Sequence, residues 1–206
     1  MIIGIVGLIG SGKGTVGDIL IEQGFKHESF ANSLKDAASS VFNWDRELLE
    51  GITPKSRAWR EGVDEWWSER LGIPNFSPRV ALQLLGTELF RNHFHQDIWI
   101  LGLESRIKDS TDNIVLTDAR FPNEIDMVRR LGGVIVRVKR GDDPAWFNFA
   151  ATQPENMFQV HPDIHASEYS WVGVTPNYLI TNDGTMEDLN TVVTDLLQDL
   201  LGSNPT

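Results

Sequence analysis

The chain has 206 residues, 41% of them apolar and 23% charged; this suits one globular domain with a sizeable insertion and excludes a disordered chain. Cysteine is absent, so disulfide frameworks, thiolate-bound zinc, iron–sulfur clusters and thiol nucleophiles are excluded. The net charge of −11 is unevenly spread: no Lys or Arg follows Arg140, positions 141–206 carry ten acids, and any bound phosphate must draw its cations from the first 140 residues.

Met1 to Val6 (MIIGIV) is a β-branched apolar run followed at once by glycines, which predicts a buried strand. Val16, Ile19 and Leu20 fall at helical spacing, and Phe25 to His27 predicts a short second strand. Ser33 to Phe42 reads as a helix with Ser33 as its N-cap. The stretch 43–77 holds four of the seven tryptophans and one expected helix over about 56–71. Pro78 opens a helix to about Asn92, as its preference for the first turn predicts, and another helix spans about 98–107. Strands follow at 113–116 and 134–138, with a helix from Pro122 to Gly132-Gly133 between them. Residues 141–176 show no period and read as a long excursion. A last strand at 177–181, a turn at Asn182-Asp183-Gly184 and a helix over 185–201 complete the chain.

Strands separated by helices predict an α/β fold with three layers: a five-stranded parallel sheet flanked by helices. The expected organisation is one domain over 1–206. Its core is 1–30, 113–140 and 177–206, a helical region at 31–112 carries the acceptor-binding residues, and 141–176 forms a lid-like excursion or, alternatively, a structural or dimer-forming insertion. No run is apolar over the about 20 residues of a membrane helix. MIIGIVGL lacks the basic flank and cleavage site of a secretion signal. The expected location is the cytoplasm, that of the host if the source is viral. The acidic balance argues against a duplex nucleic-acid binder.

Gly7 to Thr15 (GLIGSGKGT) lies between the first strand and the first helix, the context that the G-x-x-x-x-G-K phosphate loop requires. Glycines let backbone N–H groups turn inward, and the helix N-terminus adds partial positive charge. Gly10, Ser11, Gly12, Lys13, Gly14 and Thr15 are the expected ATP-binding residues, with Lys13 reaching the β- and γ-phosphates. The strict pattern has Ser or Thr directly after Lys, whereas Gly14 intervenes here; the GKGT variant resembles that of nucleoside monophosphate kinases. A phosphate loop alone leaves a small-molecule kinase, a GTPase switch or an ATPase motor open. The N/T-K-x-D tetrapeptide by which GTPases read guanine does not occur.

Ile114 to Asp118 has the form of a Walker B strand, which places Asp118 where an acid holds Mg²⁺ with the hydroxyl of Thr15. Arg120, two residues on, projects toward the transferring phosphoryl group. Alternatively, Asp118 and Arg120 pair with one another and cap the next helix. Arg79, Gln83 and Thr87 recur at four-residue intervals on one helical face. Arg79 suits an acceptor phosphate and Gln83 a base edge, unless the stripe is simply a solvated face. Lys35 is a second candidate for the acceptor phosphate. Trp99 suits either base stacking or the core. His161 and His165 are too isolated to argue for a metal. His165 suits either a phosphate or the positioning of Glu168, which joins the substrate-side set.

Taken together, the phosphate loop, FANSLK, PRVALQLLGTE, TDARFPNE, HASE and ITNDGT occur in the order seen in deoxynucleoside monophosphate kinases of tailed bacteriophages, and the chain resembles that family over nearly its whole length. The resemblance implies a P-loop kinase fold, transfer of the ATP γ-phosphate to a dNMP, Mg²⁺ and a homodimer. It also implies that Lys13 and its loop bind ATP, that Arg79 and Gln83 touch the acceptor, that Asp118 and Arg120 serve the phosphates, and that Asn182 to Thr185, Asn182 and Gly184 among them, lie near the adenine. Two departures stand out: Gly14 replaces an Asp that some relatives carry, and the excursion lacks lid arginines. Arg140, the last cation, is therefore expected to supply the contact that a lid arginine makes elsewhere. Kinases of dephospho-coenzyme A or phosphomevalonate share the loop and an FA..LK-like segment, and a non-kinase nucleotide switch is the alternative from another class.

Overall fold

The computed structural model describes residues 1–202; the end of the expected core segment, 203–206, lies outside the described residues. In chain order the elements are β1 (Ile2–Val6), α1 (Lys13–Glu22), β2 (Lys26–Glu28), α2 (Asn32–Phe42), a 3₁₀ turn (Leu48–Glu50), α3 (Pro54–Glu61), α4 (Glu65–Leu71) and α5 (Pro78–Gln83). A π-helix (Leu84–Phe94) continues α5 and is followed by α6 (Ile98–Ile107), β3 (Ile114–Leu116), α7 (Pro122–Arg130) and β4 (Val134–Lys139). Then come α8 (Phe147–Thr152), a 3₁₀ turn (Pro154–Asn156), α9 (Met157–Val160), α10 (Ala166–Tyr169), β5 (Tyr178–Thr181) and α11 (Met186–Gly202).

The chain divides into two compact units, 1–29 with 107–206, and 30–106. In the first, five strands form a parallel sheet in the order β2-β3-β1-β4-β5, as the alternation of strands and helices predicts. β1 is buried along its whole length because it lies in the middle of that order. Ile3 and Ile5 pack with Val16, Leu20, Val193 and Leu197 under α1 and α11, while α7 packs on β1 and β4. The central strand therefore delivers residues 7–12 to the sheet's carboxyl edge, where α/β proteins place their ligands.

Residues 141–176 are more ordered than their sequence predicts. Three short helices gather around buried Phe147, Met157, Tyr169 and Trp171. The guanidinium of Arg137 lies over the rings of Phe147 and Trp171, 4.4 and 5.5 Å from their centroids, and pairs with Asp143. Short helices with apolar contacts to an aromatic cluster leave no regular period to read.

The second unit has its own core of Ala38, Trp44, Leu49, Phe76 and Ala81. Trp44 stacks on Phe42 at 4.4 Å, Trp67 meets Phe42 edge-on at 5.0 Å, and the Trp44 indole N–H donates to Asp64 at 2.8 Å. Three of the tryptophans between 43 and 77 thus build a satellite core, while Trp66 stays exposed. The single helix expected over 56–71 is two, because Thr53 caps α3, Asp64 caps α4, and Gly62 between them leaves helical geometry. Ser33 does not cap α2; Ala31 is in that position, and the Ser33 hydroxyl instead accepts from Arg106. Ser77 and Pro78 open α5 as expected, but the helix widens after Gln83. In the π-helix the hydrogen bonds close five residues apart, so Thr87 leaves the four-residue stripe of Arg79 and Gln83.

Candidate active site

The loop after β1 turns on three positive-φ glycines, Gly7, Gly10 and Gly12, that no other residue replaces without strain. Gly7 (φ 155°) lies so close to β4 that a Cβ there would meet the Val138 carbonyl oxygen at 2.4 Å. Gly12 (φ 99°) is the N-cap of α1, and its absent Cβ leaves room for the Asn182 amide. That amide donates to the Ser11 carbonyl at 2.9 Å, which ties the end of β5 to the loop.

Ile9, Lys13, Thr15, Thr117, Arg120 and Glu168 line a pocket of about 290 Å³ together with the loop glycines. Lys13 folds over the loop, its Nζ donating to the carbonyls of Gly7 and Leu8 at 2.8 Å each. Burial pushes the Lys13 ammonium below its ordinary pKa, the nearby Arg120 charge pushes the same way, and Glu168 opposes them. The group is thus a cation short of solvation beside a second cation, an environment that favours an anion.

Arg120 follows β3 on a segment braced by α7. The backbone N–H groups of Arg120 and Phe121 both donate to the buried carboxylate of Glu124, at 2.8 and 3.1 Å. The side chain donates from Nη1 to Glu168 Oε1 at 3.1 Å and Ser167 Oγ at 3.3 Å. Glu168 Oε2 in turn accepts the Ile9 N–H at 3.3 Å. His165 caps α10, accepting the Ser167 N–H at 3.2 Å, and so holds the helix that carries Glu168.

The alternative pairing of Asp118 with Arg120 gives way to separate partners. Asp118 accepts from Ser29 at 2.6 Å, whereas Thr117, the residue before it, lines the pocket. Asn182 is engaged under the loop, and a Cβ on Gly184 would meet the Asp188 carboxylate at 2.6 Å. Thr185 and Asp188 bond one another at the start of α11; hydrogen bonds from Thr185 hold the Asp188 carboxyl below its usual range.

A larger cavity of about 610 Å³ adjoins the loop and is walled by Leu8, Ser11, Val138, Arg140, Trp146 and Glu168, among others. Arg140 is exposed on that wall. The residues of the other unit have local partners. Lys35 pairs with Glu50, Arg79 with Glu61 at 2.8 Å, and Gln83 is exposed. Trp99 belongs to the core, not to a stacking platform: it is buried, and its indole N–H donates to the Gly86 carbonyl at 3.0 Å.

Sequence reasoning missed Glu124 and Thr117. The signal for Glu124 is legible: an acid three residues after the N-cap Phe121 is the spacing by which helix N-termini recruit a carboxylate. Nothing in the sequence marks Thr117 over Asp118, because their side chains part only in the tertiary fold.

A model of the deoxynucleotide monophosphate kinase family matches residues 68–193. The chain belongs to the deoxynucleotide monophosphate kinase family. A relative from Acanthamoeba polyphaga mimivirus, provisionally named for the same activity, is 30% identical over 68% of this chain and 74% of its own. The deoxynucleoside-5'-monophosphate kinase of Escherichia phage T5 is 29% identical over 63% of this kinase and 72% of its own chain. The dephospho-CoA kinase of Campylobacter jejuni aligns over 97% of this chain and 96% of its own at 14% identity and a TM-score of 0.45, a likeness that says nothing of the acceptor. Among the described residues of the kinase, no helix is long and apolar enough to cross a membrane.

Proposed function

We propose that this kinase transfers the γ-phosphoryl group of ATP to the phosphate of a deoxynucleoside 5'-monophosphate, giving dNDP and ADP. One observation carries the reading beyond family membership: Lys13, Thr15 and Arg120 line a single glycine-walled pocket.

Phosphoryl transfer asks mainly for positioning and charge neutralisation. Lys13 serves the β- and γ-phosphates, and Arg120 the equatorial charge on the transferring group. An acceptor phosphate is mostly dianionic at neutral pH, since its second pKa is about 6, so the reaction needs no strong general base. The residues present fit Mg²⁺. Thr15 and Asp118 offer a hydroxyl and a carboxylate, hard oxygen donors that suit a cation held largely by phosphates and water. Thr15 and Asp118 are the residues that would hold it, Asp118 by giving up or sharing its bond to Ser29. Bound there, Mg²⁺ would neutralise phosphate charge.

The cavity beside the loop is large enough for a nucleoside, and Trp146 and Arg140 on its wall are the residues we assign to the donor's base and phosphates. Arg79, Gln83 and Lys35 are the acceptor set. Glu61 and Glu50 hold the two cations until a phosphate replaces the carboxylate. Residues 141–176 act as the lid that excludes water.

The test is an ADP-release assay with each common dNMP and its ribonucleotide counterpart, with products separated by chromatography. A dNDP should form, and Lys13→Ala should lower kcat/KM by about 10²-fold or more. Slow ATP hydrolysis indifferent to every monophosphate would replace this reading with a nucleotide-dependent switch.

A further inference from the structure

Glu168 is an acid among phosphate-binding groups. Its side chain is 23% exposed, one oxygen on the loop N–H of Ile9 and the other on Arg120. It lines both the phosphate pocket and the larger cavity, and so stands where the two meet. A γ-phosphate lodged at the loop needs the same donors, and two anions cannot share one N–H. The charge distribution points the same way: Glu168 lies in the part of the chain that has acids and no Lys or Arg, against a loop whose cations come from the first 140 residues.

We infer that Glu168 is an internal counter-anion of the phosphate site, displaced when phosphate binds. The carboxylate partly neutralises Arg120 and Lys13 and holds Arg120 at the pocket mouth by a bond that a phosphate oxygen then takes over. Because Glu168 sits on the four-residue helix α10, the exchange detaches α10 from Ile9 and couples nucleotide occupancy to the 141–176 segment. Glu168 is accordingly a positioning residue that acts through Arg120, not a ligand of the substrate. This inference rests on the loop holding the ATP phosphates, and not on the identity of the acceptor.

The experiment is calorimetric titration of wild type and Glu168→Gln with sodium tripolyphosphate and with ATP, no acceptor present. The variant should bind tripolyphosphate about tenfold more tightly, the effect of one ionic contact no longer competing, and with a steeper loss of affinity in salt. In turnover it should show a lower KM for ATP, since the phosphate has no carboxylate to displace from Arg120. Equal affinity, as for a purely structural residue, or weaker affinity, as for a substrate ligand, would overturn the inference. A wild-type protein that binds neither probe would overturn the donor assignment itself. Should Glu168→Gln not fold, hydrogen exchange on the wild type decides. Tripolyphosphate should speed amide exchange at residues 166–169, and unchanged or slower exchange there would refute the displacement.

Discussion

The carboxylate of Glu124 accepts the backbone N–H of Arg120 at 2.8 Å and so sets where the arginine leaves the end of β3. The same oxygen accepts the N–H of Phe121, and the side chain is only 4% exposed. A buried carboxylate that satisfies two backbone donors is costly to remove, because the donors are then left without partners away from water. It also fixes the direction from which Arg120 approaches the phosphate pocket.

Glu124→Ala should therefore destabilise the protein by about 2–4 kcal/mol, from two orphaned N–H groups at about 1–3 kcal/mol each with partial relaxation. It should also lower kcat more than it raises KM for ATP, since the guanidinium is misplaced without being removed. Thermal denaturation and steady-state kinetics on the same preparation check both. A stability loss with kcat intact would confine Glu124 to capping α7.

Arg140 is exposed on the wall of the cavity beside the loop, and no cation follows it in the chain. Arg140→Ala should lower kcat/KM by about 10²-fold, the scale of one lost transition-state donor, with little change in melting temperature. A variant with near-wild-type kinetics would remove Arg140 from the mechanism.

Glu50 accepts from both Lys35 and Arg46. Burial alone would raise its pKa, but the two hydrogen bonds and their charges outweigh it, and the carboxyl stands below its usual range. A carboxylate with a depressed folded-state pKa contributes stability above its unfolded pKa of about 4.3, and the contribution is lost as pH falls through the folded value. The pairs are partly solvated, so the effect should be about 1 kcal/mol at pH 7. Glu50→Gln should be less stable than wild type by that amount at pH 7, and the gap should close as the pH drops below about 4. Urea denaturation at a series of pH values measures it.

Trp44 anchors the second core through stacking on Phe42 and its bond to Asp64. Trp44→Ala should cost about 3–5 kcal/mol, the range for large aromatic truncations in a core. The loss should appear as early protease sensitivity within 30–106, with the sheet unit holding its protection longer. Uniform loss across the chain would show that the two units unfold as one.

Much of this molecule is legible from residue patterns alone. A β-branched strand running into glycines, Lys13 at the start of a helix, and prolines at the first turns of α5 and α7 are local features, and local stereochemistry decides them. The strand–helix alternation then leaves few arrangements other than a parallel sheet. Pairings distant in sequence lay beyond that reach. Asn182 meets Ser11 across 171 positions, and Arg120 meets Glu168 across 48, contacts that only the closing of the sheet brings about. The shift from α to π after Gln83, the burial of Trp99 and the aromatic core of 141–176 were likewise settled by packing, since each depends on which neighbour fills the space and not on the order of residues along the chain.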